Sequence, residues 1–216
     1  MPPFKIEGIF GPGAGVYSFI TDKNPFFKDF YLQVAAEVVA KLPSGRVLDI
    51  GTGPGHLPIS IARMSPSLDI MAIDISQAMV EMADHNAAHS GLDCRIKFVL
   101  GSAESIPFDD GYFDLVISTL SLHHWADAPA CMKEIRRVLK PGGEAWIYDI
   151  QRDVTSEGKQ QLYRQYGRLV TAILLYFVRA HSSMGAQKIK GLLAQPGLGL
   201  SSSLEDRGFI FKLCLK

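Results

Sequence analysis

Three glycines at alternate positions, in the run Asp49-Ile50-Gly51-Thr52-Gly53-Pro54-Gly55-His56, are the residues of this chain whose types and spacing first suggest chemistry. Glycine at 51, 53 and 55 removes side chains where a ligand must approach the backbone and permits dihedrals closed to other residues. Asp74 closes the next apolar run about 20 residues on, where a carboxylate can accept hydrogen bonds from both hydroxyls of a ribose. Turn and acid together suit an adenosine-type ligand. A pyrophosphate would ask for G-x-G-x-x-G and free amides at the helix start, whereas this turn is G-x-G-x-G with Pro54, which has no amide, inside it. Asp49 would repel a phosphate at that distance and attract an ammonium or sulfonium. The turn therefore favours a positively charged ligand over a dinucleotide, and a purely structural strand-to-helix turn is the plainer alternative.

The elements that must position these residues follow from periodicity. Asn24 and Pro25 read as cap and first residue of a helix carrying Phe26, Phe30, Val34, Val38 and Leu42 on one face. Residues 46–50 read as a strand, 57–64 as a helix, 68–74 as a strand, and a helix capped by Ser76 runs to about His89, closed by Gly91. Strands follow at 95–99 and 113–118, then a helix capped by Asp127 and stopped by Pro141-Gly142-Gly143, then a strand at 144–150. Five strands alternating with helices of this length must run parallel, which predicts an α/β, Rossmann-like, doubly wound sheet. Beyond it, helical stretches at 158–180 and 188–194 form an insertion after the fifth strand, and residues 209–215 form a last strand expected to be antiparallel.

Composition bounds the rest. With 216 residues, 47% of them hydrophobic, the chain is expected to fold as one domain, with residues 1–24 a mobile N-terminal segment. Lys plus Arg and Asp plus Glu both number 22, so no summed field draws nucleic acid or an anionic membrane, and nucleic acid is not an expected partner. Cys94, Cys131 and Cys214 show no C-x-x-C spacing, which argues against disulfides and thiolate metal sites and for a reducing cytoplasm. His85 and His89 stand one helical turn apart, but Asn86 replaces the glutamate of a metal helix and no third ligand suggests itself, so no metal is expected. The longest apolar run, residues 169–178, is broken by Thr171 and falls short of the roughly 20 residues a membrane span needs. Assembly is left open.

Four segments in order, residues 47–55, 73–76, 101–116 (GSAESIPFDDGYFDLV) and 137–143 (RVLKPGG), make the chain resemble the class I S-adenosylmethionine-dependent methyltransferases, in particular the ubiquinone and menaquinone biosynthesis branch. The resemblance implies S-adenosylmethionine as cofactor. It implies that Gly51, Thr52 and Gly53 pass close to the methionine part with Asp49 nearby, that Asp74 holds the ribose, and that Ile75 lies against the adenine. It further implies that the Ser102 hydroxyl and the Ala103 amide meet the adenine edge, and that Ser118 offers its backbone carbonyl to the ammonium. The family often has aspartate where Ser102 stands. The acceptor is expected to be a small molecule, methylated by direct in-line displacement. A sulfonium needs no nucleophilic residue, only alignment and exclusion of water, but an acceptor hydroxyl or acidic carbon profits from a base.

His123 or His124, after the fourth strand, stands where such a base would overlook the cofactor; the alternative is a histidine packed beside Trp125 and donating to a backbone carbonyl. Residues 151–195, with Tyr166 and Tyr176 and several glycines, are the expected acceptor lid. An NAD(P)-dependent oxidoreductase and a noncatalytic cofactor-binding subunit are the competing functions. Calorimetry separates the first competitor: the protein should bind S-adenosylhomocysteine and not NAD. Micromolar NAD binding without S-adenosylhomocysteine binding would reverse the assignment.

Overall fold

The structure, a computed structural model, describes residues 24–151, 154–181, 191 and 202–216. Helix α1 (Pro25–Lys41) starts as its sequence predicts: the Asn24 side chain accepts from the Phe26 amide at 3.0 Å, and proline occupies the first turn. Phe26, Phe30, Val34 and Val38 are buried on the expected face. Then come β1 (Gly45–Ile50), α2 (His56–Met64), β2 (Leu68–Asp74), α3 (Gln77–His89), β3 (Ile96–Leu100), β4 (Phe113–Thr119), α4 (Ala128–Val138) and β5 (Leu139–Ile150). A long helix α5 (Ser156–His181) and strands β6 (Ser202–Asp206) and β7 (Ile210–Leu215) follow. The seven strands form one sheet in the order β3-β2-β1-β4-β5-β7-β6. Pairings among β1 to β5 are parallel, and β7 runs antiparallel between β5 and β6. This is the predicted Rossmann-like, mostly parallel sheet with an antiparallel last strand. Strand order reverses between β1 and β4, so a crevice opens over their carboxyl ends.

Side chains alternate across each strand, and both faces are covered. Val47, Ile70, Leu115, Ile117, Trp146 and Tyr148 meet α1, α2 and the α5 residues Leu162 and Leu174. Leu48, Ile50, Val116, Ala145, Ile147 and Leu213 meet Cys131, Met132, Ile135 and Val138 of α4. All three cysteines are free. Among the described residues, no helix is long and apolar enough to cross a membrane.

Three readings change. Pro141-Gly142-Gly143 does not end α4, which stops at Val138; it lies inside β5, where pairing with β4 jumps from Leu139↔Phe113 to Glu144↔Leu115 and Gly142 takes φ +81°. Strand β6 was not foreseen, because Ser202–Asp206 is polar and becomes a strand only by pairing with β7 at the sheet edge. In the described part of the insertion, Ser156–His181, a kink at Gly167 (φ +76°) divides the expected 158–180 helix into two stretches, and the first packs on α1: Tyr166 meets Phe26 edge-on and donates to Asp29 at 3.2 Å. The N-terminal segment apart from Asn24, and most of the predicted 188–194 helix, lie outside the described residues.

One charged group ties α1 to the sheet. Glu37 accepts from Arg207, from Lys212 at 3.0 Å and from the Tyr148 hydroxyl at 2.9 Å, while the Lys212 ammonium sits 3.6 Å above the Trp146 ring. Burial alone pushes the Glu37 carboxyl up, but the bonds from Arg207, Lys212 and Tyr148 outweigh it and hold it at about 2 against an ordinary 4.5. A carboxylate depressed by folding contributes stability above its ordinary value and loses it as pH falls toward the folded value. Glu37→Gln should therefore lower stability at pH 7 by on the order of 2 to 3 kcal/mol and flatten the loss of melting temperature between pH 4.5 and 2, measured by thermal denaturation.

Candidate functional site

The turn after β1 is built by its glycines. Gly51, Gly53 and Gly55 take φ of +72°, +53° and +83°, in the left-handed region, and the amides of Gly51 and Thr52 both donate to the Ile73 carbonyl of β2. A Cβ at Gly51 would lie 2.6 Å from that of Ser121, so the loop after β4 closes against bare backbone. Asn86, on α3, donates from its side chain to the Pro54 carbonyl at 2.9 Å. The residue that spoils a metal helix thus pins the turn.

Asp74 closes the turn from the other side. Its carboxylate accepts from the amides of Gly53 at 2.8 Å and Ser76 at 2.9 Å. It is only 8% exposed, and burial raises its carboxyl against the lowering effect of amides at Ser76, Gly53 and Ile75. Sequence reading sees a ligand group at a strand end; the geometry adds that the same carboxylate shapes the turn. Truncating it to alanine would free two amides as well as a ligand contact.

A cleft over the carboxyl strand ends joins Gly51, Gly53, Asp74, Ile75, Ser102, Ala103 and His124 of the predicted residues. Leu120, Ser121, Glu104 and Trp125 are among the further residues that line it, none of them anticipated there. Ser102 and Ala103 are placed by a loop that Arg137 clamps, donating to the carbonyls of Ile106 and Phe108 and to Asp110 and Glu134. Ser102 also caps this loop, its hydroxyl accepting from the Glu104 amide at 3.1 Å. Ser118 does not line the cleft. It is fully buried between β1 and β5, its hydroxyl 2.6 Å from that of Ser121, because β4 continues to Thr119 and leaves the rim to Leu120 and Ser121. Leu120 takes φ +56°, the one positive value for a residue other than glycine among the described residues.

Asp49 and Thr52 lie beneath the turn rather than in the cleft wall. Both Asp49 carboxylate oxygens and the Thr52 hydroxyl are buried with no hydrogen-bond partner among the described residues. Burial pushes the Asp49 carboxyl up to about 7; the Thr52 hydroxyl, near it but outside hydrogen-bond geometry, opposes this, and the Asp74 charge adds to it. A buried carboxylate left unpaired is poised for a cation.

The two histidines part company in a 3-10 turn, Leu122–His124. His124 faces the cleft. His123, 9% exposed, places Nδ1 at 2.8 Å and 3.0 Å from the Asp149 carboxylate oxygens, and its amide donates to the same carboxylate at 2.9 Å. The expected partner was a backbone carbonyl; the actual one is a fully buried aspartate near the carboxyl end of β5. An acid in the apolar run Trp146-Ile147-Tyr148-Asp149-Ile150 was the available signal.

The proteins this chain is similar to are methyltransferases. A methyltransferase domain family matches residues 48–147. A ubiquinone/menaquinone biosynthesis C-methyltransferase of Geotalea daltonii is 34% identical over 67% of this chain and 63% of that protein. A 2-phytyl-1,4-naphthoquinone methyltransferase of Synechococcus elongatus is 30% identical over 70% of this chain and 66% of that protein. The chain thus spans just under two thirds of the length of these curated relatives. A solved Methanococcus maripaludis structure, described as an S-adenosylmethionine-dependent methyltransferase, superposes with a TM-score of 0.75 at 27% identity, covering 94% of this chain and 91% of that one. The chain is a class I S-adenosylmethionine-dependent methyltransferase and resembles the ubiquinone and menaquinone biosynthesis branch. Its cofactor is S-adenosylmethionine, and the unpaired Asp49 carboxylate under a side-chain-free turn fits a ligand bearing an ammonium and a sulfonium.

Asp49 yields a paired expectation. A carboxyl raised by folding costs stability increasingly as pH rises from its ordinary 3.8 through about 7, so Asp49→Asn should stabilise the ligand-free protein above pH 7 by roughly 1 to 4 kcal/mol. The same variant should bind S-adenosylhomocysteine roughly 10-fold or more weakly, as loss of a charge-assisted contact implies. Thermal melts and calorimetry check both signs.

Proposed function

We propose that this chain transfers a methyl group from S-adenosylmethionine to a small-molecule acceptor of the hydroquinone type, by direct in-line displacement. The observation that carries the reading is the cleft over the switch point of the sheet, where a glycine-rich turn and the acid Asp74 lie together with a buried unpaired carboxylate beneath the turn. Asp49, Gly51, Thr52 and Gly53 would hold the methionine part, Asp74 the ribose, and Ile75, Ser102 and Ala103 the adenine. When bound, the sulfonium supplies an activated methyl carbon. The chain's own residues then align the acceptor, exclude water and accept a proton.

The hydroquinone class is suggested by the two quinone-named relatives and suits the chemistry. A hydroquinone carries its nucleophilic ring carbon beside a hydroxyl, so removing that proton pushes electron density onto the carbon. One histidine of the pair His123 and His124 takes this role. Residues 151–195 are assigned as acceptor lid on the bend at Gly167, beyond which Leu174 stays buried while Leu169 and Tyr176 are 76% and 71% exposed and offer apolar surface. Free cysteines and balanced charge support a cytoplasmic site of action without nucleic acid.

Incubation with methyl-labelled S-adenosylmethionine and a reduced prenylated naphthoquinone should give a ring-methylated product. Asp74→Asn, which keeps the carboxylate's shape, should raise the KM for S-adenosylmethionine roughly 10-fold with little change in the KM for the quinol. Label appearing only in amines or thiols would sink the hydroquinone assignment.

A further inference from the structure

Adenine presents two neighbouring groups on one edge, a ring nitrogen that accepts a hydrogen bond and an exocyclic amine that donates. The Ala103 amide can serve the first. The second needs an acceptor, and the loop after β3 offers the carboxylate of Glu104, which lines the cleft. Asp74 and Glu104 are the two carboxylates among the described residues that line it. Asp74 accepts from the amides of Gly53 and Ser76, at the strand end where the ribose is placed. Ser102 is turned into its own loop: its hydroxyl accepts from the Glu104 amide at 3.1 Å, so the hydrogen it has left to give suits a ring nitrogen better than an amine. Ser121 donates to the Ile50 carbonyl at 3.3 Å and its oxygen lies 2.6 Å from that of Ser118, beside Gly51 and the glycine turn. Glu104 itself is held in place. Its Oε1 accepts at 2.9 Å from the amide of Asp127, the residue whose side chain caps α4. That bond joins the loops after β3 and β4, whose Ala103 and Trp125 both line the cleft. Oε2 has no donor among the described residues. With one oxygen anchored and the other available, the side chain is a fixed acceptor rather than a mobile surface carboxylate.

We propose that Glu104 is the residue that makes the cofactor site specific for adenine, its Oε2 accepting from the exocyclic amine while the Ala103 amide donates to the adjacent ring nitrogen. This rests on the placement of the base beside Ile75, Ser102 and Ala103, and deepens it by naming the group that tells adenine from other purines. A purine with a carbonyl in place of the amine would set two acceptors face to face, and its ring N–H would meet the Ala103 amide, donor against donor. A purine with neither group would leave the carboxylate without its partner. Discrimination of this kind comes from a polar group in the site that the wrong ligand cannot satisfy.

Calorimetry on the full chain with three ligands tests this: S-adenosylhomocysteine, its deamino analogue, whose purine lacks the amine, and its inosine analogue, in which a carbonyl replaces the amine. Wild-type protein should bind the deamino analogue roughly 10-fold or more weakly than S-adenosylhomocysteine, and the inosine analogue more weakly still. In Glu104→Gln the Asp127 amide keeps the side-chain oxygen as its acceptor, so the NH2 group turns to the cleft. This variant should lose roughly 10-fold or more in affinity for S-adenosylhomocysteine and gain affinity for the inosine analogue. It should bind the deamino analogue within about threefold of wild type, which shows that it is folded. A carboxylate that only fastens the two loops would weaken all three ligands alike in Glu104→Gln and leave their ratios unchanged, and that result overturns the proposal. So does a wild-type protein that binds S-adenosylhomocysteine and its deamino analogue equally. Ile75→Ala should weaken all three ligands by a similar factor. If it weakens none, the base lies elsewhere, and its placement falls together with the proposal.

Discussion

A buried carboxylate without a partner is the constraint around which this molecule is arranged. Asp49 has no hydrogen bond among the described residues and sits near the carboxyl end of β1, where β2 and β4 flank it on both sides. Leaving an acid there disfavours its ionised form, and its raised carboxyl records that cost. Packing alone would remove such a group. Its survival is understood when the cation of a ligand is counted as part of the folded state, since a binding site tolerates local destabilisation that an ordinary core would not. The positive-φ glycines, the two amides given to Ile73 and the Asn86 side chain on Pro54 are the means by which the backbone keeps an opening over that carboxylate.

Strand alternation separates the charges that serve the site. Asp49 shares a sheet face with Val47 and therefore looks toward α1 and α2, whereas Asp149 shares a face with Ile147 and looks toward α4. One acid is left empty for a cation, and the other is filled by His123. Both lie near carboxyl strand ends, so a ligand over the crevice lies above the two acids without their sharing a hydrogen bond. The half-buried ion pairs belong to structure: Glu37 with Arg207 and Lys212 fastens α1 to β7, and Arg137 holds the loop that carries Ser102 and Ala103. These ion pairs are partly desolvated and geometrically fixed, which makes them more than the weak surface pairs of an exposed helix.

The loop after β4 is the meeting point of these parts. Ser121 fills the space that the missing Gly51 side chain leaves, Leu120 accepts a left-handed backbone, and His123 is drawn to β5. Each contact joins residues far apart in the chain. A strained backbone held from several sides in this way is a rigid platform, and rigidity is what alignment of two substrates demands.

Local signals were enough for much of this. Helical and strand periods, the Asn24 cap, the glycine turn and Asp74 at the end of β2 were all legible, because each depends on residues within a few positions of one another or on a fixed spacing between neighbouring elements. Sequence also determined the preference for a cation over a pyrophosphate, since Pro54 and Asp49 decide that within one turn. What it could not supply were pairings made across the fold. Which histidine meets the buried acid, that Ser121 rather than Ser118 reaches the rim, that Pro141-Gly142-Gly143 is absorbed within a strand, and that Ser202–Asp206 becomes a strand at all depend on register between β4, β5 and β7. Register is settled by the summed burial of whole faces, and no window of neighbouring residues contains that sum.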